Sequence, residues 1–154
     1  MLRTHVVALD QVPRKSALRL EDIPTLCLNV MQHPEASTEL IKKVSQVLRE
    51  AHAAAESAAV SCYSTAKKND AGKVLDVCGF ASLVIAEPQS ELTAALLQLD
   101  AIEPIGRLGY VFKDINYGVP DQALCIGEAA MRAAEVVFKK HFPKALFWVN
   151  SRWD

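Results

Sequence analysis

The 154-residue chain is short of most features that announce an activity. It has no glycine-rich phosphate loop, no HExxH pair and no GxSxG elbow, so the common nucleotide, zinc-protease and hydrolase signatures are missing. Its four cysteines (Cys27, Cys62, Cys78, Cys125) contain no CxxC and cluster with no histidine, which gives no support for a zinc site or a thioredoxin-like motif. Each has apolar neighbours, so all four read as buried, inert thiols of a reducing compartment. Neither charge sign dominates: 17 Lys+Arg stand against 18 Asp+Glu, for a formal net charge of −1. The longest basic clusters are the pairs Lys67-Lys68 and Lys139-Lys140, which read as solvated faces, so neither nucleic acid nor an anionic membrane is expected as partner. No apolar run reaches the roughly 18 residues of a membrane span, and residues 1–16 turn charged before a signal-peptide core can form. The expected location is the cytoplasm, with no cofactor and no metal.

Length and composition describe an ordinary globular chain. Apolar residues make up 51% and charged residues 23%, and the length suits a single domain over residues 1–154. At this size folding removes roughly 68–70% of the unfolded surface from water, enough for a core without metal or disulfide.

Hydrophobic periodicity orders the elements. Residues 4–9 (THVVAL) and 25–31 (TLCLNVM) have the β-branched or alternating character of strands, separated by an irregular charged connection. After His33-Pro34, Ser37 or Thr38 can cap a helix with Glu39 in its first turn. Leu40, Ile41, Val44, Val47, Leu48, Ala51, Ala54, Ala55 and Ala58 then form one stripe at helical spacing. Its second half is alanine, so another element must approach closely there. Residues 60–66 (VSCYSTA) read as a strand, joined through a polar turn at 67–73, with Gly72 at positive φ, to the β-rich run 74–86. The pair forms an expected hairpin, with Gly79 marking a bulge or a close backbone approach. Ser90 caps a second helix. Residues 100–104 connect it to a strand over 106–113, whose GRLG start (106–109) reads as a strand entry or bulge. A third helix begins near Pro120 and ends near His141, and residues 146–149 suit a short strand. Trp148 is expected to pack back on the core.

From residue 25 to 113 this order is β-α-β-β-α-β. The expected fold class is therefore α+β, a ferredoxin-like sandwich with an extra N-terminal strand and a long C-terminal helix; a three-layer α/β sheet is the alternative. Such a sheet has one free face, to which Leu75, Val77, Phe80, Ser82, Val84, Tyr110 and Phe112 are assigned. Either the third helix or another subunit covers it, and a homo-oligomer is expected.

Candidate chemistry concentrates in two strand-to-helix loops. The loop after the 106–113 strand offers Lys113, Asp114, Asn116, Tyr117, Gly118 and Asp121, and the free N–H groups of the helix behind it can hold an anion. The other loop offers His33, which titrates near neutral pH. His33, Asp114 and Tyr117 are the candidate proton-transfer residues, and Arg107, Lys113, Asn116 and Gly118 the candidate ligand-binding residues. Each set also reads as turn and capping chemistry. Cys62, beside Tyr63 and Ser64, has no adjacent group to activate it. Three functions follow in order: an oligomeric ligand-binding or regulatory domain recognising a small anionic molecule; a metal-independent isomerase, lyase or hydrolase using acid–base chemistry on a small anion; and an adaptor or inhibitory protein acting through surface contact.

Overall fold

The structure is a computed structural model describing residues 34–106, 109–113, 115, 117–119 and 121–153. The expected strands at 4–9 and 25–31, the connection between them, His5 and Cys27 lie outside the described residues.

The strongest periodic signal becomes the longest element. Ser37 accepts a hydrogen bond from Leu40 N–H (3.2 Å) and opens α1, Thr38–Thr65, a helix of 28 residues with Val44, Val47, Ala51, Ala55 and Ala59 buried. The helix takes in residues 60–65 of the expected 60–66 strand, and Ala66 is its extended C-cap. The stripe carries on through Ala59 to Cys62, while Val60 is 53% exposed, as a solvent-facing helix position would be. The hydroxyls of Ser64 and Thr65 donate to Ser61 O (2.8 and 3.0 Å), a back-bond that settles them in a helix despite their β propensity. The hairpin is lost with that strand. Its turn survives: Asn69 Oδ1 accepts from the N–H groups of Ala71 and Lys73, Gly72 sits at φ 76°, and a single bridge joins Lys68 to Val74.

The remaining elements are β1 (Gly79–Ile85), α2 (Glu91–Gln98), β2 (Ile102–Pro104), β3 (Tyr110–Phe112), α3 (Leu124–His141) and β4 (Phe147–Trp153). They form an antiparallel sheet of four strands in the order β2-β3-β1-β4. Gly79 permits the approach expected of it: an added Cβ would lie 2.6 Å from Arg152 O on β4. Ser90 caps α2 by accepting from Thr93 N–H (3.1 Å). The helix ends at Asp100 in the left-handed region (φ 53°), and the chain turns at once into β2, where a plain connection had been expected. Between β2 and β3, Gly106 and Gly109 are at positive φ and Ile105 N–H donates to Gly109 O (2.9 Å). An added Cβ at Gly109 would lie 2.2 Å from Ile85 O. The expected 106–113 strand is shortened to β3. At the other end, β4 runs four residues beyond the expected 146–149, because Asn150 to Trp153 keep pairing with Ser82 to Gly79.

α3 lies on β1 and β4, and α1 packs along α3 and touches α2. Leu83 and Ile85 of β1 share the helix-covered face with Phe112 and Phe147. The rings of Phe112, Phe138 and Phe147 form one cluster with centroids 4.7–6.3 Å apart. Phe138 is fully buried among them. The close approach demanded by the alanines of α1 is made by α3, whose Ala130 and Ala134 are also fully buried. Tyr110 pairs with Ile85, so it and Phe112 belong to the helix face, and Leu75 and Val77 precede the strand. The other face carries Phe80, Ser82, Val84, Val111, Trp148, Asn150 and Arg152, with Val84 buried, and α3 lies on the opposite face. No helix among the described residues is long and apolar enough to cross a membrane.

Candidate functional site

An open groove of about 1040 Å³ lies along β1 beyond Phe112, the last residue of β3. One wall is Gly79 to Ser82 of β1, and Phe112, Ile115 and Met131 supply apolar surface. Tyr117, Val119, Asp121 to Ala123, Lys73, Asp76 and Cys78 also line it, and the 121–123 segment bonds to β1 through Gly79 N–H and Gln122 O.

The backbone of β1 shapes this groove. Along an antiparallel strand, N–H and C=O groups turn alternately to the two neighbours. Ala86 N–H donates to Leu146 O on the β4 side (3.0 Å), whereas Gly79 N–H turns away and donates to Gln122 O (3.1 Å). Ala81 and Leu83 share the parity of Gly79. The register Val84↔Val111 puts Phe112, the last residue of β3, opposite Leu83. One step further along that edge, Ala81 N–H and C=O have no hydrogen-bond partner among the described residues. This stretch of sheet edge lines the groove.

Gly127 of α3 lies beside Tyr117 and Ala81, two of the residues that line the groove. A Cβ there would stand 3.2 Å from the Tyr117 hydroxyl and 3.3 Å from the Ala81 side chain, so the missing side chain makes room for the phenol against β1.

Two carboxylates at the groove are committed to structure. Asp121 accepts from Ala123 N–H (3.0 Å) through one oxygen and from Val74 N–H (3.1 Å) through the other. Asp76 accepts from Cys125 N–H (2.8 Å), and Leu124 N–H donates to Val77 O (2.9 Å). Asp76 thus caps α3 from 49 residues away, which explains a helix whose N-cap, Ala123, has no side-chain acceptor. Its pKa lies below the usual carboxylate value, first because of the Cys125 N–H and then the Cys125 thiol. This arrangement corrects the expected anion site. α3 starts at Leu124, not near residue 120, and its first N–H groups are taken by protein acceptors.

The cysteines also depart from expectation. Cys78 is exposed beside the groove, while Cys62 and Cys125 are partly buried. Burial, with hydrogen bonds to Asp76 and Cys62, pushes the Cys125 thiol up to about 12. It is held protonated at neutral pH.

Of the residues expected to form a site, Tyr117 lines the groove. Lys113 points elsewhere: its ammonium meets Asp100 at 2.5 Å, and it lines a smaller groove of about 510 Å³ on the outer sheet face. Gly118 turns at φ 64° beside Glu56 of α1. His33, Arg107, Asp114, Asn116 and Pro120 lie outside the described residues. The groove also recruits residues that sequence reasoning did not single out, Lys73, Asp76, Cys78 and Ala81. The polar turn at 67–73 was their only signal, and nothing local tied it to α3.

The chain matches no protein-family model, no curated protein and no solved structure.

Proposed function

We propose that the chain is an oligomeric small-molecule-binding or regulatory domain. In this reading residues 79–153 form the ferredoxin-like β-α-β-β-α-β unit, displaced along the chain from where its order was expected. The groove beside β1 holds the ligand. The observation that carries the reading is the peptide edge at Ala81, which lines that groove and has no hydrogen-bond partner among the described residues. A buried or half-buried peptide group without a partner costs free energy that a ligand recovers by bonding to it, and apolar walls with a few fixed polar groups are the usual make-up of a small-molecule site. Lys73 is exposed at the same groove and enters no ion pair among the described residues. It replaces the α3 N-terminus as the group that would receive a negative charge. The ligand class is therefore a compact monoanion with an apolar body and a donor–acceptor edge, such as a small acylated or aromatic carboxylate. Of the proton-transfer residues of the acid–base alternative, Tyr117 lines this groove, while His33 and Asp114 lie outside the described residues.

The test is a titration of ¹⁵N-labelled protein with aromatic and aliphatic monocarboxylates, their primary amides and inorganic phosphate. Monocarboxylates should shift the Ala81 amide, with weaker binding by the amides and by Lys73→Met. Shifts that avoid residues 79–82, or no binding by any of these probes, would overturn the reading.

A further inference from the structure

The two edges of the sheet are unlike. The β2 edge is three residues long and ends in Pro104, a short edge of the kind that resists pairing. The β4 edge runs for seven residues, FWVNSRW, with no proline, glycine or lysine to interrupt it. Leu146 O faces β1, so by alternation the N–H and C=O groups of Phe147, Val149, Ser151 and Trp153 face away from the sheet. None of them has a hydrogen-bond partner among the described residues. A long, regular edge of this kind is a template for another strand.

We infer that β4 pairs antiparallel with β4 of a second copy, about a two-fold axis through Asn150, to make one continuous sheet. This specifies the oligomeric part of the reading above and is independent of whether the groove binds a ligand. The sequence of β4 is complementary to itself in this register and in its hydrogen-bond phase. Phe147 meets the second copy's Trp153, and Val149 meets its Ser151, as hydrogen-bonded pairs; with their symmetry mates they exchange about eight ladder bonds. Between them Trp148 meets Arg152, and Asn150 meets Asn150, at the closer spacing of non-hydrogen-bonded pairs. Arg152 already lies over the Phe80 ring, 5.9 Å from its centroid. Pairing adds the second copy's Trp148 on its other side, so each guanidinium is held between two aromatic rings. Trp153, 75% exposed in the single chain, gains cover beside Phe147. A one-residue shift would face the outward N–H groups with inward ones, so the phase of the hydrogen bonds fixes this centre against its nearest neighbours.

The test uses the full chain in sedimentation equilibrium with two variants. Ser151→Pro deletes an N–H on the free edge and leaves the β1 ladder intact, a position where proline is tolerated in a strand. It should raise the dimer dissociation constant about tenfold or more while circular dichroism stays unchanged. Asn150→Cys puts two Cα atoms about 4.5 Å apart in the dimer, within disulfide range. Oxidised glutathione should then give a covalent dimer well beyond the wild-type background, whether or not the proline variant folds. A wild type that stays monomeric at the highest soluble concentration overturns the inference while leaving ligand binding untouched. A dimer that ignores Ser151→Pro, with no Asn150→Cys crosslink, overturns it in favour of another oligomer surface.

Discussion

Replacing Asp76 with alanine should destabilise the protein through a helix that begins 48 residues later. The Asp76 carboxylate supplies the acceptor that Ala123 lacks, meeting Cys125 N–H at 2.8 Å. Loss of such a cap costs about 1 kcal/mol, up to about 2 in a protein host, and the lost interaction of its charge with the helix N-terminus adds about 0.3–1 kcal/mol. A total of about 1.5–2.5 kcal/mol is expected at pH 7 from urea unfolding, read as a lower midpoint with an unchanged slope. Asp76→Asn keeps an oxygen acceptor and should lose well under half of that. The pH dependence has a definite sign. The folded-state pKa of Asp76 is depressed, so its ionic contribution is present above the unfolded value of about 3.9 and is lost as pH falls through the depressed one. The gap between wild type and Asp76→Ala should therefore narrow in acid. A gap below about 0.5 kcal/mol at pH 7, or one that widens as pH falls, would refute the capping argument.

Gly79→Ala should cost about 1–3 kcal/mol by overpacking, seen as a lower thermal midpoint, because the new methyl would stand 2.6 Å from Arg152 O on a paired strand. Phe138→Ala should cost about 3–5 kcal/mol in urea unfolding, since it empties the centre of the Phe112–Phe138–Phe147 cluster. Iodoacetamide at pH 8 followed by peptide mass spectrometry should label Cys78 well before Cys125, given that Cys78 is exposed and the Cys125 thiol is raised to about 12. Equal labelling rates under native conditions would contradict that environment.

Local signals that agreed with one another were legible in the sequence. The Ser37 and Ser90 caps, the Gly72 turn, the stripe of α1 and the close approach at Gly79 all follow from residues within a few positions of each other. Residues 60–65 are helical although their β-branched and hydroxyl side chains suggest a strand. The alanine stripe that overrules them lies one turn earlier and depends on α3 for its meaning. Pro120 suggested a helix start, but the helix waits until Leu124, where acceptors from residues 76 and 77 become available. No sequence window contains both halves of that contact. The same separation hid most of the groove. Tyr117 was legible as a polar residue in a strand-to-helix loop, whereas Lys73 and Ala81 gain meaning only from residues distant in sequence that line the same groove.

The alanine face between α1 and α3 inverts the usual tolerance of a core. Ala51, Ala55 and Ala59 are fully buried, as are Ala130 and Ala134 opposite. Alanine has no rotamers to freeze, so docking this stretch costs no side-chain entropy. Each methyl also buries little area, so no one of them anchors the helix. Truncation to glycine removes only a methyl and some helix propensity, about 1 kcal/mol, whereas valine or leucine has no space to enter and must push two helices apart. Where most cores punish loss of volume, this one polices its gain, and the 28-residue helix is retained by closeness along its length.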